Sequence, residues 1–193
     1  GTNGSHLWSQ SAGDAASSIV NTVDSVGNVL LTGQFDGTVD FGGGGLTSLG
    51  VHDGFIAKYR AADASHVWSR RFGGIANDQS IGTAVDGAAD VLVAGSFQDT
   101  VDFGTGPLSA AGRTDIFVAK YAGSDSRPLW AVDFDAALFD FAWVADIAVD
   151  ARGEAVVTGT FTGVVDFGNG PLLASGGSYD VFVAKLTGTA GTA

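Results

Sequence analysis

A tripeptide ending in tryptophan, His6-Leu7-Trp8, recurs as His66-Val67-Trp68 and again as Pro128-Leu129-Trp130, at spacings of 60 and 62 residues. Two further markers keep step with it. Val39-Asp40-Phe41-Gly42 returns at Val101 to Gly104 and at Val165 to Gly168. Phe55-Ile56-Ala57-Lys58-Tyr59 returns as Phe117-Val118-Ala119-Lys120-Tyr121 and as Phe182-Val183-Ala184-Lys185-Leu186. Three markers in constant order define one unit of about 60 residues present three times, which restricts the chain to a repeat architecture.

Each unit reads as strands. Val29-Leu30-Leu31-Thr32-Gly33, Val91-Leu92-Val93-Ala94-Gly95 and Ala155-Val156-Val157-Thr158-Gly159 are short apolar runs bounded by turn residues, too brief for helices. An apolar stretch ending in Val23-Asp24, Val85-Asp86 or Val149-Asp150 precedes each run, across a connector of hairpin-turn composition. The Phe-x-Ala-Lys strand and the Trp strand form a second hairpin. A helical pattern is absent apart from a turn expected around Asp135 to Asp140.

Four antiparallel strands per unit match a propeller blade, with the extra length in the loop that carries Val-Asp-Phe-Gly. On Val91 to Phe97, Val101 to Gly106, Asp115 to Tyr121 and their counterparts, the chain resembles the bacterial β-propeller repeat family labelled SBBP. The resemblance covers nearly the whole sequence. It implies a propeller fold in a secreted or cell-surface bacterial protein and brings no catalytic residues with it.

The expected fold class is therefore all-β, a propeller of three four-stranded blades within a single domain over 1–193. An N-terminal fourth strand lies at 6–10, repeats span 17–70, 79–132 and 143–186, the last without its fourth strand, and a tail follows over 187–193. Three blades are fewer than propellers use, so the expected completion is a homodimer of six blades that exchange N-terminal strands. The rival is an excised piece of a longer array, a reading that an opening at Gly1 rather than Met also suits.

Composition narrows the function. With 45% hydrophobic and 16% charged residues the chain can fill a core. A net charge of -12 opposes phosphate backbones and anionic lipid heads, and no apolar run is long enough to span a bilayer, so neither nucleic acid nor membrane insertion is expected. The absence of Cys excludes disulfides and thiolate metal sites.

Recurring charges suit scaffold roles better than a single active site. Trp8, Trp68 and Trp130 occupy one repeat position, Asp40, Asp102 and Asp166 a second, and Lys58, Lys120 and Lys185 a third. Each Lys is expected to pair with the Asp that opens its own strand, Asp53, Asp115 or Asp180. The Gly-x-Gly tails lack the helix and Lys of a phosphate loop and read as turns. The turns at Asp24, Asp86 and Asp150 do not reproduce calcium-loop spacing, although the excess of Asp also suits a calcium-rich exterior. His6, His52 and His66 lack metal-ligand spacing, and no nucleophile has a matched base, so neither an enzyme nor a resident cofactor is expected.

The connector of the third unit departs most from the pattern. It adds Asp133, Asp135, Phe139, Asp140, Phe141 and Trp143. Aromatic plates beside carboxylates suit a sugar ring or a peptide, whereas the competing reading packs these aromatics into an interface. The expected function is a non-enzymatic binding scaffold for protein or glycan, with a lectin-like site at 133–143 as the first alternative and an Asp-based hydrolase as the second.

Overall fold

The computed structural model describes residues 4–11, 16–137, 140–175 and 179–188. Among these residues all regular structure is strand and all paired strands run antiparallel, so the chain is all-β. In the first unit β1 (Ala16–Val23) and β2 (Val29–Phe35) form a hairpin, β3 (Thr38–Asp40) and β4 (Gly45–Thr47) a smaller one, and β5 (Asp53–Tyr59) and β6 (His66–Phe72) a third. The second unit repeats this with β7 (Gln79–Val85), β8 (Val91–Phe97), β9 (Thr100–Asp102), β10 (Pro107–Ser109), β11 (Asp115–Tyr121) and β12 (Pro128–Phe134). The third holds β13 (Ala142–Val149), β14 (Ala155–Phe161), β15 (Val164–Asp166), β16 (Pro171–Leu173) and β17 (Asp180–Leu186).

The main sheets are ordered β1-β2-β5-β6, β7-β8-β11-β12 and β13-β14-β17, and each small hairpin stands apart as its own ladder. Registers coincide: Val29 faces Tyr59, Val91 faces Tyr121 and Ala155 faces Leu186. No sheet closes on itself.

Local chemistry explains the markers. The first strand of every sheet bulges, between Ser17 and Val20, Ser80 and Gly82, and Val144 and Asp146. The bulge presses a backbone carbonyl onto the neighbouring strand, where Gly33, Gly95 and Gly159 recur. A Cβ on Gly95 would lie 2.0 Å from the Gln79 oxygen and 2.8 Å from the Phe117 ring, so only glycine fits. The Phe of Phe-x-Ala-Lys covers that glycine and receives the Phe of the small hairpin. Ring centroids are 4.3 Å apart for Phe41 and Phe55, 4.3 Å for Phe103 and Phe117, and 4.8 Å for Phe167 and Phe182. Aromatic pairing of this kind contributes about 1 kcal/mol beyond burial, and it folds each hairpin back onto its sheet. The hairpins themselves are an addition to the sequence reading, which placed that segment in a loop.

The core lies between sheets. Leu30, Ile56, Trp68 and Phe72 of the first meet Val91, Val93 and Phe117 of the second, and Leu92, Ile116 and Val118 of the second meet Val144, Ile147 and Val157 of the third. Strand β7 packs on β1 and β2 on one side and on β13 on the other, but β1 and β13 do not pack on each other in the same way. The three sheets form an open series.

Residues 6–10 were expected to form a strand, but the described residues 4–11 form none. The physical reason is the lack of an edge. β6 already takes the outer position of the first sheet, and the free edge of β17 belongs to the third.

Candidate functional site

Connectors between sheets gather with the segments around the small hairpins on one side. Val51 N donates to Ala76 O, Arg113 N to Asp140 O, Ala142 N to Thr114 O and Ala137 N to Val164 O. The opposite side carries the tight turns and the recurring Lys–Asp pairs.

Those recurring charges are consumed by the scaffold. Asp40 Oδ1 accepts from Gly42 N and Gly44 N, Asp102 Oδ1 from Gly104 N and Gly106 N, and Asp166 Oδ1 from Gly168 N and Gly170 N. Both glycines of each turn have positive φ, which is what the Gly-rich tails supply. The lysines pair elsewhere than expected. Lys58 Nζ lies 3.0 Å from Asp24, Lys120 Nζ 2.7 Å from Asp86 and Lys185 Nζ 2.8 Å from Asp150. Asp53, Asp115 and Asp180 open the same strands, but five residues of extended chain put about 16 Å between Lys58 and Asp53. Asp53 is instead paired with Arg71.

The turn carboxylates that receive the lysines also accept backbone N–H groups, Asp24 from Val26 and Asn28, Asp86 from Ala88 and Asp90, and Asp150 from Arg152 and Glu154. Burial pushes the Asp24 carboxyl up, but the bonds from Asn28 and Lys58 outweigh it and hold it below the usual range. Hydrogen bonding from Lys185 holds Asp150 far below that range. No group of three or more His, Asp or Glu among the described residues could hold a metal ion.

The residues of the third connector separate into three places. Asp133 is among the residues that line a cavity of about 490 Å³, with Trp130, Val132, Phe134, Phe167 and Leu186, and burial pushes its carboxyl up. Asp135 stands beside the buried Asp115, and burial followed by that carboxylate raises it. Asp140 is structural: its Oδ2 accepts from Val164 N, while its own N–H donates to Ala137 O; the turn expected around Asp135 to Asp140 runs through residues 138 and 139, which lie outside the described residues. Phe139 lies outside the described residues.

Phe141 and Trp143 form the compact part of the site. Their rings stack at 5.0 Å and 7°, with Tyr179 at 5.6 Å from Trp143 and the Arg113 guanidinium 5.5 Å over Phe141. Both stacked rings are half-buried, whereas Tyr179 and Arg113 are exposed. The result is an aromatic shelf with one cation over it, suited to stacking. Sequence reasoning missed Arg113 and Tyr179. Arg113 lies two residues before β11, where the structure brings the preceding segment against the next connector, as in the bridges His52–Asn77 and Thr114–Phe141, and Tyr179 immediately precedes β17.

The cavity has a cause in the repeat. At the equivalent place between the first two sheets, Arg70 reaches Ser126 O and Phe103 O and lies over the Tyr121 ring. Val132 and Leu186 replace Arg70 and Tyr121 between the second and third sheets, leaving the space unfilled. Searches against family models and against curated proteins found no match for the chain.

Proposed function

We propose that the chain is a non-enzymatic β-propeller scaffold and binding module of a secreted or cell-surface bacterial protein, akin to the SBBP repeats, making protein or glycan contact through its connector side. One observation carries this reading. The charges that recur in every unit are spent in turn caps and ion pairs, while the residues that break the pattern converge as the Phe141–Trp143–Tyr179–Arg113 shelf. No cofactor enters the proposal, and the shelf offers faces to a sugar or an aromatic peptide side chain.

On a glycan array and against a peptide library, the wild-type protein is expected to bind and Trp143→Ala to lose binding without a change in melting temperature. Retained binding in Trp143→Ala would remove the shelf from the account. An Asp-based hydrolase is the competing reading, favoured by the approach of Asp135 to Asp115. Asp115, however, accepts from Ala111 N, Gly112 N and Ala136 N, which is the work of a structural carboxylate. Hydrolytic turnover that disappears in both Asp135→Asn and Asp140→Asn would overturn the scaffold reading.

A further inference from the structure

We propose that a second copy of this chain closes the series, laying its first sheet on the open face of the third sheet and adding its residues 6–11 as the fourth strand on the β17 edge. The inference rests on the repeat reading above and on the two junctions within the chain, which display what the missing junction must look like.

The third sheet ends in a face that its counterparts bury. Val181 and Val183 are 75% and 68% exposed, whereas Ile116 and Val118 at the same positions of the second sheet are fully covered by β13. Strand β17 also has an empty outer edge, since β6 and β12 flank β5 and β11 but nothing among the described residues flanks β17. The first sheet is open in the complementary sense. Val23 on β1 is exposed, while its equivalent Val85 on β7 packs into the core between the first two sheets.

Polar residues match as well. At the first junction Thr32 Oγ1 and Ser80 Oγ are 2.6 Å apart and fully buried. Thr158 and Ser18 occupy the corresponding positions of the two open faces. The apposed copies would therefore form the same hydroxyl pair rather than bury an unmatched one.

The position of Trp8 is the strongest indication. At the first junction Trp68, on the outer strand of the first sheet, donates Nε1 to Gly123 O of the second sheet at 3.1 Å, and Lys58 Nζ donates to the same oxygen at 2.9 Å. Ala61 is the first-sheet equivalent of Gly123, and Trp8 Nε1 donates to Ala61 O at 2.9 Å. Trp8 thus already sits where the outer strand of a preceding sheet places its tryptophan, although the described residues hold no preceding sheet. The third sheet of a second copy has the vacancy that this strand fits, and its Lys185 would supply the second donor to Ala61 O.

The repeat fixes the register. Lys58 faces Trp68 and Lys120 faces Trp130, while Ala57 faces Ser69 and Ala119 faces Ala131. Lys185 of one copy therefore faces Trp8 of the other, and Ala184 faces Ser9. Two such junctions related by a two-fold axis close a ring of six sheets, within the usual range for propellers. The aromatic shelf stays accessible at the rim, because Gln79, which occupies the place of Trp143 in the covered second sheet, remains half-exposed.

The chain has no cysteine, so a Ser9→Cys, Ala184→Cys double variant reports the pairing without background. On mild oxidation we expect a covalent dimer with two links between copies, identified by mass spectrometry of the joined peptides. Oxidised monomer with a link inside one chain, a ladder of longer oligomers, or no link would each overturn the proposal. Trp8→Ala provides the second arm, since Trp8 lies outside every sheet and its removal leaves the fold intact. The concentration at which dimer gives way to monomer in light scattering should rise at least tenfold, and an unchanged midpoint overturns the proposal. A monomer that keeps Trp143-dependent binding defeats this inference alone, whereas a dimer without any ligand defeats the binding reading alone.

Discussion

Replacing Lys58 by Met tests whether the recurring lysines hold the units together. Lys58 Nζ lies 3.0 Å from Asp24 and 2.9 Å from Gly123 O, and the side chains of Lys58 and Asp24 are only 7% and 3% exposed. Methionine preserves most of the volume and strands the Asp24 carboxylate in a nearly dry site. Removing one member of a buried pair costs about 3–5 kcal/mol. The lower end applies here, because Asp24 keeps its bonds from Val26 N, Asn28 N and Asn28 Nδ2. For a chain of this size each kcal/mol lowers the melting temperature by about 2–4 °C, so Lys58→Met should melt about 6–12 °C below wild type. Lys120, similarly buried against Asp86, should behave alike. Lys185 is the internal control: its pair with Asp150 is 52% and 32% exposed, and Lys185→Met should leave the melting temperature of the single chain unchanged. The assay is thermal denaturation followed by circular dichroism, at concentrations dilute enough for light scattering to give the 19.4 kDa chain mass. A loss below about 1 kcal/mol for Lys58→Met would refute the energetic reasoning. So would a loss for Lys185→Met as large as that for Lys58→Met.

Three other perturbations probe different parts of the fold. Leu186→Tyr should fill part of the cavity beside Trp130 and donate to Phe167 O, as Tyr59 does to Phe41 O and Tyr121 to Phe103 O, gaining about 0.5–2 kcal/mol in urea denaturation; a loss would show that the space cannot take the ring. Asp78 should titrate with a pKa of about 6, because burial and the neighbouring Asp53 carboxylate outweigh the N–H groups of Gly74 and Gln98. A raised folded-state value favours the folded protein below the unfolded value of 3.8 and loses that contribution as pH rises through about 6, so a carboxyl carbon chemical shift titrating near 4 would contradict the burial argument. Millimolar calcium should leave the melting temperature unchanged, since the turn carboxylates are already occupied by backbone N–H groups and lysines; a rise with calcium but not magnesium would place ions in those turns.

The sequence made the internal repetition and the strands legible because each marker answers to a local constraint. Gly33, Gly95 and Gly159 are imposed by the bulge beside them, and Asp40, Asp102 and Asp166 by the turns they cap, so spacing alone located both. What depended on register across the sheet was not readable. The partner of Lys58 is Asp24, near in space because Val29 faces Tyr59, and neither residue type nor spacing distinguishes it from Asp53. The candidate site was legible in half. Phe141 and Trp143 do meet, but alternation along β12 and capping at Asp140 send the acidic residues of the same connector to other surroundings. Arg113 joins the shelf only through the contact between the second and third units, and Tyr179 through a contact across the third unit from the start of β17 to β13, neither of which residue type or spacing encodes. Trp8 was recognised as part of a strand, but a strand exists only where an edge accepts it.

The open ends of the series are the centre of this account, and the mass of the intact chain in solution tests them most directly. Light scattering after gel filtration, across a wide range of concentration, should give twice 19.4 kDa at the upper end and the single-chain mass on dilution. A mass that stays at one chain throughout, or that climbs past two copies without a limit, would contradict the matching of the first and third sheets.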